Sequence, residues 1–196
     1  MPSTFSLRRL WVLGISLAGV LAMPMGDITH ERRAGTIDQA TFNELAFYFQ
    51  YASSAYESSC ARPNGNTLVV QIDRFVTNTQ AYIARDDNRR EIVVALRGST
   101  NIPDILTDAS LLLVPFVSPG VKQAPFGSLA HAGFLTAWNS VADQIISTVR
   151  TELAAHPDYN LVTSGHSLGG ALSSLAGISL QQNFPEKADT IRMFTY

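Results

Sequence analysis

Apolar and polar positions along the chain follow two rhythms, and the changes between them mark its elements. From Ile37 to Tyr56, Phe42, Leu45, Ala46, Tyr48, Phe49, Ala52 and Ala55 recur mostly every three or four residues, which predicts an amphipathic helix. Three strand segments follow, Thr67 to Asp73, Thr79 to Arg85 and Glu91 to Arg97. Turn-forming Asn78 and Asp86-Asp87-Asn88 separate them, as in a β-meander. The third carries Ile92-Val93-Val94-Ala95-Leu96, apolar on both faces, so it is expected at the centre of a sheet. From Phe134 to His156, Leu135, Trp138, Val141, Ile145, Val149 and Leu153 form one helical stripe. A short strand is predicted at Tyr159 to Thr163, a helix rich in small residues from Leu168 to Gln182, and a strand from Ile191 to Tyr196. Strand, helix, strand, helix, strand is the order of a parallel sheet covered by helices, an α/β fold. No internal repeat or low-complexity segment interrupts it.

The first residues follow neither rhythm. Arg8 and Arg9 precede an apolar run from Leu10 to Leu21, and Val20-Leu21-Ala22 places small residues where a signal peptidase cuts. Residues 1–22 are therefore expected to be a cleaved secretory signal, with a membrane anchor as the alternative; the run is too short to span a bilayer as a helix. Arg32-Arg33 reads either as the end of a propeptide over 23–33 or as two solvated arginines. Residues 34–196 then form a single domain, secreted and extracellular.

Composition narrows the chemistry. With 14 Lys+Arg against 16 Asp+Glu there is no basic field for a nucleic acid. One cysteine, Cys60, and four histidines show no zinc-ligand spacing, and a single cysteine forms no internal disulfide. No metal or cofactor is expected.

The candidate chemistry is Gly165-His166-Ser167-Leu168-Gly169, extended by Gly170. A G-x-S-x-G pentapeptide gains weight when a strand precedes it and a helix follows, and both are predicted here. A sharp turn would raise the Ser167 hydroxyl above the sheet, where side chains at the flanking glycines would collide with strand and helix. The following helix would offer free N–H groups and positive potential to an oxyanion. The competing reading is a glycine-rich turn with an incidental serine.

Four segments together, VALRGST at 94–100, HAGF at 131–134, HPDYNLVTSGHSLGGAL at 156–172 and FTY at 194–196, resemble the fungal class 3 lipases. This α/β-hydrolase group contains secreted triacylglycerol lipases and related feruloyl esterases. The resemblance implies Ser167 as nucleophile, and the backbone N–H of Leu168 and Ser99 as the oxyanion hole. It implies that Asp108 holds Ser99 in its productive rotamer, and that 101–108 is a lid with Ile102, Ile105 and Leu106 as its apolar face. Ile105 stands where the family commonly has tryptophan, and Pro103 is unusual there. His131 and His166 match structural positions; His156 suits a helix C-terminus.

In this fold the acid and histidine follow the nucleophile, yet after Ser167 the sequence holds Glu186 and Asp189 but no histidine. Both acids are expected on the surface. The chain therefore reads as the N-terminal part of an α/β-hydrolase, with later strands and helices missing. In some relatives a cysteine near the position of Cys60 pairs with one near the C-terminus. The leading expectation is a secreted carboxylic-ester hydrolase, most simply an acylglycerol lipase, working through an acyl-enzyme on a lipid or other ester, with contact to a lipid–water interface. Feruloyl or short-chain esterase is the alternative within the class, and a catalytically inactive truncated protein the alternative outside it.

Overall fold

The computed structural model describes residues 37–100, 112–122 and 127–196. The expected signal and propeptide lie outside the described residues, which belong to one unit, Ile37–Tyr196. Its elements are α1 (Gln39–Ser54), β1 (Thr67–Arg74), β2 (Thr79–Asp86), β3 (Glu91–Leu96), β4 (Leu113–Pro115), β5 (Leu129–His131), α2 (Ala132–Ala155), β6 (Asn160–Gly165), α3 (Leu168–Asn183) and β7 (Arg192–Thr195). Short 3-10 turns occupy Pro63–Gly65 and Pro185–Thr190; Glu186 and Asp189, in the second, are exposed.

The main sheet has the order β1-β2-β3-β6-β7, with β3 at its centre. The first three strands are antiparallel; β3-β6 and β6-β7 are parallel. Alternation along the strands builds two cores. Ala81, Ile83, Ile92, Val94, Leu96 and Leu161 face α2 and α3, packing on Trp138, Val141, Ile145, Leu172 and Leu180. Tyr82, Ala84, Val93, Ala95 and Val162 face the other way, onto Tyr48, Tyr51 and Ala55 of the α1 segment. Each fully buried aliphatic side chain contributes about 1.5–3 kcal/mol. A strand apolar on both faces is therefore most stable where helices cover both, which is why β3 is central.

Helix α1 corrects one detail of the predicted amphipathic face. Asp38 caps it, accepting from the Thr41 N–H at 2.7 Å. Its apolar residues, however, form two stripes and only one can meet the sheet. Tyr48, Tyr51 and Ala52 are buried, while Phe42, Leu45 and Phe49 remain exposed. The two-stranded ribbon β4-β5 was not foreseen, because three-residue strands are too short to show a period.

The two edges of the sheet differ in chemistry. At the edge where β3 begins, buried Glu91 accepts from Tyr48 and Arg192, and buried Asp86 accepts from Tyr51 Oη at 3.2 Å and the Arg89 N–H at 2.9 Å. Among the described residues no buried carboxylate is left without a partner. The edge where β3 and β6 end carries the turns at 97–99 and 166–167, outside the C-terminal ends of the parallel strands, where ligands bind in open α/β sheets.

Candidate active site

Strand β6 ends at Gly165, α3 starts at Leu168, and Ser167 makes the corner with φ 57° and ψ −123°. A left-handed φ is uncommon for serine and holds it only because the surroundings over-determine it. A Cβ on Gly165 would lie under 3.0 Å from the Gly169 carbonyl, and one on Gly169 under 3.0 Å from backbone atoms of Leu96 to Gly98. The two outer glycines thus let α3 cross directly over the ends of β3 and β6. Gly170 is less constrained, with its nearest neighbour at 3.3 Å. Below the corner, Ser173 Oγ donates to Thr163 Oγ1 at 2.9 Å, locking helix to strand. The end of β7 ties in as well: the Ser167 N–H donates to the Tyr196 carbonyl at 2.8 Å, and the Tyr196 N–H to the Gly165 carbonyl at 3.0 Å.

Ser167 is exposed and its side chain does not cap α3. It opens on a cleft of about 280 Å3 lined by Gly170, Ala171, Ser174, Thr195 and Tyr196. Burial pushes the Tyr196 hydroxyl up to about 12, and that group donates to the Leu45 carbonyl at 2.6 Å. The N–H of Leu168 lies in the first turn of α3, where a helix supplies no acceptor and its dipole is positive. The geometry places an exposed serine hydroxyl at a helix N-terminus whose free N–H groups suit a negatively charged oxygen.

The turn after β3 closes on this corner. Gly98 packs so tightly that a Cβ would lie 2.5 Å from the His166 carbonyl and also inside the Tyr56 hydroxyl. Ser99 follows, half-buried, so the residue expected in the oxyanion hole stands in a turn that abuts the Ser167 turn. Arg97 braces it, donating to Gln80 Oε1 at 2.6 Å and Asn78 Oδ1 at 2.7 Å. Asp108 and the lid residues Ile102, Ile105 and Leu106 lie outside the described residues.

Tyr56 was missed by sequence reasoning: as a lone aromatic just past a helix it carries no motif. Its hydroxyl bonds His166 Nδ1 at 2.9 Å, and burial raises its pKa above the ordinary tyrosine value. The His166 Nδ1 is thereby engaged by Tyr56. His131 is the N-cap residue of α2 and packs at a tilt against Phe134 with centroids 4.5 Å apart; His156 ends α2 and packs at a tilt against Tyr159 at 4.7 Å. Cys60 is a free thiol. Among the described residues no three His, Cys, Asp or Glu side chains are grouped to hold a metal.

An apolar hollow of about 360 Å3 lies between the β4-β5 ribbon and α3, lined by Phe116, Leu129, Ala130, Leu175 and Ile178. The neighbouring Leu112 and Leu113 are exposed.

Comparison with known proteins is consistent with this geometry. The family described as Lipase (class 3) matches residues 93–196. A secreted alkaline triacylglycerol lipase of Penicillium cyclopium is 36% identical over 158 residues, covering 81% of this chain and 55% of its own. A secreted mono- and diacylglycerol lipase of Fusarium solani is 33% identical over 174 residues, covering 79% and 50%. The crystal structure of a triacylglycerol lipase from Penicillium expansum superposes with a TM-score of 0.73 at 36% identity, over 78% of this chain and 59% of that one. The chain thus spans about half the length of the curated relatives it matches.

Proposed function

The chain belongs to the class 3 lipase family, and from that premise we propose that it specifies a secreted serine ester hydrolase acting on acylglycerols, with Ser167 as nucleophile. One observation carries the reading: an exposed serine held at φ 57° on a strand-to-helix corner, next to a helix N-terminus and a second glycine turn. The Ser167 oxygen attacks the ester carbonyl, the alcohol leaves, and water hydrolyses the resulting acyl-enzyme. The oxyanion of each tetrahedral intermediate is stabilised by the Leu168 N–H and by Ser99, donors fixed before reaction and so costing no reorganisation. The proton of Ser167 needs a general base, and among the described residues no histidine is hydrogen-bonded to its hydroxyl.

The relatives' names support an acylglycerol substrate and secretion, and the hollow beside α3 supports an acyl chain. In the same proposal residues 1–22 are assigned to a signal and, as one of two readings, 23–33 to a propeptide, and the family resemblance carries over the support of Ser99 to Asp108 and a lid to Ile102, Ile105 and Leu106.

The test is covalent labelling of the full-length gene product by an organophosphonate, together with hydrolysis of tributyrin. Both are expected in the natural protein and neither in Ser167→Ala. Labelling that persists in the alanine variant removes Ser167 from the nucleophile role.

A further inference from the structure

The β1-β2 hairpin ends in Phe75-Val76, whose side chains are 97% and 96% exposed; the next most exposed large apolar residue among those described is Val117 at 71%. Strand pairing sets where this tip lies. Leu96 pairs with Ala81 on one side and with Gly165 on the other, so the 75–78 turn and the Ser167 corner project from the same edge of the sheet.

The tip is stiff. The Asn78 N–H donates to the Phe75 carbonyl at 3.2 Å, with Asn78 in the left-handed region at φ 48°. From one side the Arg97 guanidinium donates to the Asn78 carbonyl at 3.1 Å and to its Oδ1 at 2.7 Å. From the other, Arg74 donates to the Ser140 carbonyl at 3.0 Å and to Gln144 Oε1 at 2.6 Å, while the Thr77 and Ser140 hydroxyls lie 2.9 Å apart. The polar side chains of the turn are thus engaged, its arginines are turned inward, and Arg74 to Thr79 contains no carboxylate.

We infer that Phe75 and Val76 form a lipid-surface anchor that seats the Ser167 edge of the sheet on an ester-bearing lipid droplet. This rests on the acylglycerol reading above. Two side chains on a convex tip bury a few hundred Å2 at most, about a fifth or less of a stable protein–protein interface. A fluid hydrocarbon surface closes round a small wedge without needing a matching pocket. Because the turn is already rigid, insertion orders no loop, so little of the gain from burial is lost. Arg97 joins the tip to the Gly98-Ser99 turn directly, so the angle of insertion is also the angle at which the active-site edge meets the lipid.

The experiment uses triolein droplets coated with zwitterionic phosphatidylcholine. Adsorption is read by flotation in a Ser167→Ala background, so that turnover does not alter the droplets. Phe75→Ser with Val76→Ser is expected to weaken adsorption about tenfold to a hundredfold. With Ser167 intact, the pair should lower emulsified triolein turnover and leave hydrolysis of dissolved p-nitrophenyl butyrate within about twofold. Phe75→Trp, which keeps an aromatic tip, should retain adsorption and shift its emission to the blue on droplets. Unchanged adsorption of the double serine variant, or an unmoved Phe75→Trp emission, overturns the anchor. So does concentration-dependent dimerisation that the serine pair abolishes without any effect on droplets, which assigns the tip to a second copy. A protein that adsorbs through the tip but hydrolyses neither ester upholds the anchor and overturns the enzymatic reading. One that hydrolyses both esters and adsorbs independently of the tip does the reverse.

Discussion

Ser167→Gly is expected to leave the folded protein more stable than Ser167→Ala, although glycine normally loses that comparison. The reason is the corner itself, φ 57° and ψ −123°, where any Cβ is strained. Such a backbone costs about 1–3 kcal/mol in a residue with a side chain. Alanine keeps the cost and glycine removes it. Against this, the freer unfolded chain of glycine costs about 0.5–1 kcal/mol. Loss of the hydroxyl enters both variants equally, and it is small because Ser167 is exposed and does not cap α3. The balance favours glycine by about 1 kcal/mol. With a urea dependence of about 1–3 kcal/mol per molar, the unfolding midpoint of Ser167→Gly should lie about 0.3–1 M above that of Ser167→Ala. Fluorescence of Trp138, fully buried and donating to Ser118 Oγ at 2.8 Å, reports the transition. An alanine variant more stable than the glycine variant by the ordinary 0.5–1 kcal/mol would show that the corner holds no strain, and the structural case for Ser167 as a forced nucleophile would fail.

Three further outcomes are expected. Ser99→Ala should lower kcat about tenfold to a thousandfold with little change in KM, because an oxyanion contact strengthens in the transition state; a pure KM effect would place Ser99 in ground-state binding. Gly169→Ala should cost at least the 1–3 kcal/mol or so typical of overpacking, since its Cβ meets backbone of Leu96 to Gly98 rather than a side chain that can move; a thermal midpoint within a degree or two of the natural protein would contradict the packing. The hydroxyl of Tyr159, and then the guanidinium of Arg85, hold the Asp87 carboxyl below the usual range. Its folded pKa is thus below the unfolded value of about 3.9, so the stabilisation is present above about pH 4 and is lost as pH falls through the folded pKa. Asp87→Asn should flatten the acid limb of the urea midpoint against pH, and an identical acid limb would show that the carboxylate is not coupled to folding.

Much of the architecture was legible because it is written in local periods. The stripe from Leu135 to Leu153 fixes α2, the doubly apolar run from Ile92 to Leu96 places β3 at the sheet centre, and G-x-S-x-G between a strand and a small-residue helix marks the Ser167 corner. Each signal involves residues within one or two turns of one another, and the backbone geometry they demand is the same in any surroundings. The choices left to tertiary structure all concern residues far apart in sequence. Which stripe of α1 is buried depends on Tyr82, Val93 and Val162 lying opposite Tyr48 and Tyr51, so Phe42 and Phe49 stay outside although they are the more apolar side chains. Tyr56 reaches His166 across 110 positions of chain, and the Gly98 turn meets the His166 carbonyl only because β3 and β6 pair in register. The exposure of Phe75 and Val76 is likewise decided by Ser140, Gln144 and Arg97, which clamp the turn from both sides and hold its tip out from the described residues. A period in the sequence states that a residue belongs to a helix or strand and is apolar. Whether it ends in the core, at a site or in solvent is settled by what the rest of the chain brings against it.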